Sequence, residues 1–115
     1  MLREQRTAYA CRLTFDRPGQ LNAFTVAGYT ELRRRLERAA DDEDVRVVVL
    51  TGAGRAFSAG ADRSLLDGSA PDLADAGAEF DALVSTLSNC PKPLLAAVNG
   101  AAVGAGMNLA LGCDV

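Results

Sequence analysis

The sequence has no histidine and only three cysteines in 115 residues. Cys11, Cys90 and Cys113 are odd in number and fit no metal-ligand spacing, so a Cys/His zinc site is excluded and the thiols read as small buried or half-buried side chains. Neither sign of charge dominates. With 12 basic against 15 acidic residues the formal charge is -3, which gives no bulk attraction to nucleic acid or to an anionic membrane surface. Long apolar runs are missing too: Glu4 interrupts the start, so no secretory signal is expected, and no stretch is long and apolar enough to span a bilayer. The acidic run Asp41–Asp44 lacks the glycine turn and later glutamate of a calcium loop. These absences leave a soluble, cytosolic chain of one domain, 49% apolar, with no nucleic-acid, membrane or metal partner expected.

The patterning that remains is that of an α/β chain. Tyr9, Cys11, Leu13 and Phe15 alternate with polar or small residues, predicting a strand with one buried face, and Asp16-Arg17-Pro18-Gly19 ends it with turn chemistry. Thr25 is placed to cap a helix whose apolar positions Tyr29, Leu32, Leu36 and Ala39 recur at helical spacing. Its other faces carry Arg33, Arg34, Arg35 and Arg38, read as a solvated surface in which Glu31 pairs with Arg35. The β-branched run Val45–Leu50 predicts a strand covered on both faces and paired in parallel. Asp62 is placed to cap a short helix at Leu65 and Leu66. A second amphipathic helix runs from Leu73 to Leu87, and Leu94–Val98 is a further buried strand after Pro91 and Pro93. The order β, α, β, loop, α, β, α implies a layered α/β fold with right-handed crossovers.

In such folds ligands sit beyond the carboxyl ends of the strands. Two segments leave those ends, Gly52–Asp62 and Gly100–Gly106, and both are rich in glycine and alanine, leaving backbone N–H groups unshielded. The second opens an apolar stretch with Asn108 as its one polar side chain, read as a buried helix whose start favours negative charge. Two such loops at neighbouring strand ends can converge on one ligand atom, the geometry of an oxyanion hole. Both also contain Gly-x-Gly, but Phe57 and Leu109 stand where a dinucleotide fingerprint needs a third small residue, which disfavours a nucleotide-binding module.

Several segments together resemble the enoyl-CoA hydratase/isomerase, or crotonase, family. They are Asp16-Arg17-Pro18 with Leu21-Asn22-Ala23, Val47–Gly52, Ala56-Phe57-Ser58-Ala59-Gly60-Ala61-Asp62, Lys92-Pro93 with Ala96–Gly100, and Gly104–Leu111 through Cys113-Asp114. The resemblance implies a spiral of ββα units, of which this chain is the N-terminal half, and an acyl-CoA thioester whose carbonyl oxygen is held by the N–H groups of Ala61 and Ala105. On the same basis Ala23, Ala59, Gly60, Asp62 and Gly104 are expected to line the substrate. No separate cofactor is implied, since coenzyme A is carried by the substrate, and a trimeric or hexameric homo-oligomer is implied for the complete chain.

The family's hydratases carry a glutamate where this chain has Asn108, and a second glutamate further on, past Val115. An amide donates and accepts hydrogen bonds but shuttles no proton, so ordinary two-glutamate hydration does not fit. Asn108 suits an isomerase-like or specialised member in which it orients substrate or water; a packing role stays open beside this. Asp62 reads as a loop and helix cap near the ligand, Asp114 as a structural carboxylate. Three functions follow: an acyl-CoA hydratase or double-bond isomerase, a non-catalytic CoA-ester binding or scaffold fragment, and, last, the nucleotide module. An apolar helix at Ala102–Leu111 also has to be enclosed, so the isolated chain is expected to be poorly stable or inactive unless something covers it.

Overall fold

In a computed structural model that describes all residues from Met1 to Val115, the chain forms six strands and four α-helices: β1 Leu2–Thr7, β2 Ala10–Phe15, α1 Val26–Asp41, β3 Val47–Gly52, β4 Ala56–Ser58, α2 Arg63–Leu66, α3 Ala76–Ser88, β5 Leu94–Ala97, β6 Ala101–Ala102 and α4 Ala105–Leu111. A four-stranded sheet has the order β1-β2-β3-β5; β1 and β2 are antiparallel, while β2/β3 and β3/β5 are parallel. Each parallel pair needs a long crossover, and α1 and α3 supply them. A second, two-stranded parallel sheet joins β4 to β6.

The core lies on one face of the large sheet. Cys11, Leu13 and Phe15 of β2, Val48 and Leu50 of β3 and Leu94 of β5 meet Tyr29, Leu32, Leu36 and Ala39 of α1 and Leu83 and Leu87 of α3. Thr25 caps α1 as expected, its side chain accepting from the Gly28 N–H, an interaction worth about 1 kcal/mol. Aromatic rings bind the layers: Phe15 meets Phe24 and Phe57 edge-on at 5.0 and 5.1 Å, Phe24 stacks on Tyr29, and Tyr29 touches Phe80. Phe57 is thereby rooted in the core, which fixes the loop that follows it.

Several expectations change. β1 is absent from the sequence reading because Leu-Arg-Glu-Gln-Arg-Thr has no apolar alternation; as an edge strand it needs none, and its charges protect the edge. Tyr9 is exposed in the hairpin turn, beneath the Arg46 guanidinium, and β2 begins one residue later. The β3 run is covered on one face only: Val47 and Val49 lie with Ala10, Arg12 and Leu95 on the open side. Leu73–Asp75 forms a 3-10 turn, so α3 begins at Ala76. The apolar stretch after Asn99 is not one buried helix. It is β6, a turn and the seven-residue α4, whose Val103, Met107 and Leu111 neighbourhood is exposed, with Leu109 and Gly106 facing inward. The arginines of α1 tie elements together: Arg33 pairs with Glu37 and Glu79, and Arg35 with Glu4 and, more loosely, Glu31. No helix is long and apolar enough to cross a membrane.

Candidate functional site

The first small-residue loop is held from both sides by asparagine side chains. Asn22, with a left-handed φ of 57°, is fully buried, and its carboxamide donates to the carbonyls of Ala53 and Ala56 at 2.9 and 2.8 Å and accepts from the Arg17 N–H. Asn99 grips the same segment from the other side, accepting from the Gly52 N–H and donating to the carbonyls of Gly54 and Ala56. Asn22 tolerates the left-handed backbone that the turn after the 3-10 segment Pro18–Gln20 requires.

Two close approaches lock the loops. A Cβ on Gly106 would lie 2.2 Å from the Ser58 carbonyl oxygen, so only glycine lets α4 settle against β4. Gly60 has φ +97°, and a Cβ there would meet the Val103 carbonyl oxygen at 2.7 Å and the Ala105 nitrogen at 3.2 Å. The segment carrying Ala61 therefore rests directly against the start of α4.

Local geometry leaves the N–H groups of Ala61 and Ala105 without a protein acceptor where the two loops meet. Ala61 forms a parallel bridge with Phe24 in which the Phe24 N–H bonds to the Gly60 carbonyl and the Phe24 carbonyl accepts from Asp62; the Ala61 N–H thus faces the other way and donates to no protein acceptor. Gly104 has φ 56° and ψ -123°, the first central position of a type II′ turn closed by the Gly106 N–H on the Val103 carbonyl at 2.9 Å. Only glycine takes that conformation readily, and it sets the orientation of the next peptide, whose Ala105 N–H also has no protein acceptor. With only seven residues in α4, these individual donors matter more than a helix dipole.

Ala23, Ala59, Ala61 and Asp62 line one open cleft of about 360 Å³ together with Leu21, Arg63 and Leu66. Gly60 lies buried behind it, between the cleft wall and Ala105. Gly104 is exposed, and Asn108, one turn beyond Ala105 on the same helix, is also exposed. Its carboxamide has no hydrogen-bond partner among the residues of this chain. Side chains on a helix tilt toward its N-terminus, which places Asn108 over the Ala105 turn.

Asp62 is committed to structure. Its Oδ2 accepts from the Ser64 hydroxyl at 2.7 Å and the Ser64 N–H at 3.1 Å, capping α2, and its Oδ1 pairs with Arg17 at 3.2 Å. Arg17 also donates to the Ala23 carbonyl, tying both walls of the cleft together. The Ser64 donors first, and then the Arg17 guanidinium, hold the Asp62 carboxyl below its ordinary value of 3.8. The folded state therefore gives up this proton more readily than the unfolded chain, so its stabilising contribution is present above the ordinary value and is lost as pH falls through the lower, folded one. Thermal melts at stepped acid pH are expected to show a steeper loss of Tm in the parent chain than in Asp62→Asn; equal slopes would count against the cap.

Asp114 is structural as expected, its Oδ2 accepting from the Leu94 N–H at 2.8 Å. All three cysteines are free thiols, and burial, with Asp114 and Cys90 adding to it, pushes Cys113 up to about 11, too high for a thiolate at neutral pH. A larger depression of about 540 Å³ between α1 and the Asp72–Glu79 segment interleaves Arg34, Arg35 and Arg38 with Asp72, Asp75 and Glu79, so it offers no site of single charge. At Gly52-Ala53-Gly54 the dinucleotide reading fails on topology, because that loop leads into β4 and no helix N-terminus follows it; at Gly104-Ala105-Gly106, which does open α4, Leu109 stands where the fingerprint needs a small residue.

Sequence patterning did not single out Arg17, Asn22, Ser58 or Asn99 as positioning groups. Each has at least one partner distant in the chain, Asp62 for Arg17 and backbone atoms for Asn22, Ser58 and Asn99, for which a sequence carries no periodic signal.

The protein-family model described as enoyl-CoA hydratase/isomerase matches residues 5–115. A probable enoyl-CoA hydratase of Mycobacterium tuberculosis is 47% identical over 105 residues, covering 90% of this chain and 41% of that protein. The 1,2-epoxyphenylacetyl-CoA isomerase of Escherichia coli is 43% identical over 108 residues, again with 90% and 41% coverage. Among solved structures, an enoyl-CoA hydratase/isomerase (crotonase) described as putative, from Legionella pneumophila, superposes with a TM-score of 0.91 at 36% identity, covering 99% of this chain and 46% of that one. The chain spans about two-fifths of the length of these curated relatives and just under half of that solved chain. The likeness extends over both loops, the sheet and the helices that position them, at identities well above those that establish a fold alone. The chain belongs to the enoyl-CoA hydratase/isomerase family and has the corresponding part of the crotonase fold.

Proposed function

We propose that this chain forms part of an acyl-CoA enzyme that stabilises a thioester enolate through the backbone N–H groups of Ala61 and Ala105. The observation that carries this reading is that each N–H lacks a protein acceptor and the two belong to loops in van der Waals contact. Removing a proton beside a thioester, or adding a nucleophile to its conjugated double bond, moves negative charge onto the carbonyl oxygen. Fixed donors stabilise that charge more than they stabilise the neutral carbonyl, and loss of one typically costs roughly 10²–10³ in rate.

Asn108 favours double-bond isomerisation over hydration by two glutamates, because an amide holds substrate or water without exchanging a proton at neutral pH. The Escherichia coli relative is named as the isomerase of an epoxide, not of an enoyl double bond, so this preference rests on Asn108 alone. Asp62, the one carboxylate lining the cleft, is engaged by Ser64 and Arg17, so the proton-transferring acid lies elsewhere. That same lack of a free acid favours a second reading for these residues taken alone, a CoA-ester binding unit that polarises the thioester without turnover.

Ala105 offers a direct test, since it is the first residue of α4, where proline is tolerated and merely replaces the amide proton with its ring. A ¹³C-labelled thioester carbonyl is expected to shift downfield on binding to the parent chain and to lose that shift in Ala105→Pro. An unshifted carbonyl in the parent chain would sink the proposal. Where turnover is seen, reaction in ¹⁸O-water separates the chemistries: a hydratase product carries the label and an isomerised enoyl-CoA does not.

A further inference from the structure

Ser58 is fully buried where the two loops meet. Its hydroxyl donates to the Asn22 carbonyl at 2.9 Å and accepts from the Gly60 N–H at 3.1 Å. Its own carbonyl accepts from the Val103 N–H at 3.0 Å, and Gly106 packs against that carbonyl and against the Ser58 Cβ. One side chain thus grips the Ala59–Gly60 peptide, one residue ahead of the Ala61 N–H, and the same residue's backbone grips the turn that orients Ala105. The bond to Gly60 spans only two residues. It holds a glycine at φ +97°, a conformation with many neighbouring alternatives for a residue without a Cβ.

We propose that Ser58 is a positioning residue whose buried hydroxyl fixes the Ala59–Gly60 peptide, and through Gly60 the Ala61 N–H, relative to Ala105 and so sets the separation of the two free N–H groups. This rests on the enolate-stabilising role proposed for Ala61 and Ala105, but the positioning itself is a property of the unliganded chain. Removal of the hydroxyl in Ser58→Ala leaves the Gly60 N–H and the Asn22 carbonyl without their bonds in a buried place, and the loop relaxes along the soft backbone of Gly60. A thiol keeps a weak donor and acceptor at the same place and restores part of the hold.

The test compares the parent chain with Ser58→Ala and Ser58→Cys by amide NMR and hydrogen exchange, and then by the ¹³C resonance of a bound acyl-CoA thioester carbonyl. In Ser58→Ala the Gly60 amide is expected to exchange about fivefold faster or more, the change that a lost hydrogen bond of ordinary strength produces. The Ala61 and Ala105 amide resonances are expected to move, although neither is bonded to the hydroxyl. The carbonyl shift falls while acyl-CoA affinity stays within about threefold, because only the polarising donors have moved; Ser58→Cys lies between the two. Unchanged Ala61 and Ala105 resonances, or a carbonyl polarised as in the parent, would overturn the positioning role and leave the enolate reading standing. An unpolarised carbonyl in the parent chain would overturn the enolate reading, with the amide signals still deciding the positioning role. If Ser58→Ala does not fold, Ser58→Cys decides by the same amide signals, and parent-like exchange at Gly60 in that variant overturns the proposal.

Discussion

Replacing Gly106 with alanine is expected to destabilise the chain by roughly 3 kcal/mol, the size of effect that marks forced separation of packed backbone. Helix propensity alone predicts the opposite, since alanine inside a helix is favoured over glycine by up to about 1 kcal/mol. The geometry decides. A Cβ at Gly106 would meet the Ser58 carbonyl oxygen at 2.2 Å and the Ser58 Cβ at 2.8 Å, and neither can swing aside as the end of a long side chain would. To make room, α4 must withdraw from β4, which breaks the Val103 N–H bond to Ser58 and carries Ala105 away from Gly60. Gly77→Ala is the matched control, because Gly77 also lies in a helix but has nothing within 4 Å of its added Cβ. Urea titration is expected to lower the midpoint for Gly106→Ala and hold or raise it for Gly77→Ala, with similar slopes. Equal midpoints would show that the two loops are not in rigid contact.

The second large effect is expected at Asn22. Truncation to alanine removes the two bonds donated to Ala53 and Ala56 and the one accepted from Arg17, and leaves a β-carbon residue at φ 57°. The Ala56 carbonyl keeps Asn99 as a donor, but the Arg17 N–H loses its partner in a part-buried place. An orphaned buried group costs about 1–3 kcal/mol and the left-handed backbone about 1 kcal/mol more, so a total near 3 kcal/mol is expected. Asn22→Asp separates these contributions. It keeps the left-handed preference and the acceptor for Arg17 but points a carboxylate at two carbonyl oxygens. That variant is expected to regain stability as pH falls and the new carboxyl takes up a proton, the reverse of the Asp62 dependence. Circular dichroism melts across acid pH would detect it, and a pH-independent deficit would mean that the carboxamide is not held as described.

These two sites mark the boundary of what the sequence discloses. Helical spacing located α1 to the residue at its cap, because Thr25, Tyr29, Leu32, Leu36 and Ala39 all obey one local period. Alternation located β2, and the apolar run located β3 within two residues. The small-residue loops showed where unshielded N–H groups would gather. What escaped was whatever depends on distant partners: the charged edge strand β1, the two-residue β6, and the asparagines that bond to carbonyls more than thirty positions away. The apolar stretch read as one buried helix divides for the same reason into β6, a turn and the short α4, whose outer face is uncovered within this chain. Hydrophobicity states that a surface is suited to burial, while only tertiary structure states whether anything lies on it.

The two outer strands of the large sheet meet solvent very differently. β1 presents alternating charge, which discourages another chain from adding to it. β5, Leu94-Leu95-Ala96-Ala97, is an apolar edge of high β-propensity, the kind of template on which strands of neighbouring molecules stack. It is shielded by Asp114 and Val115, which return alongside it: both donate to the Leu94 carbonyl, the Ala96 N–H bonds to the Val115 carbonyl, and the Asp114 carboxylate closes the Leu94 N–H. Asp114 and Val115 thereby satisfy backbone groups of Leu94 and Ala96 that β3 leaves outward, and carry the pairing of the sheet one step past β5.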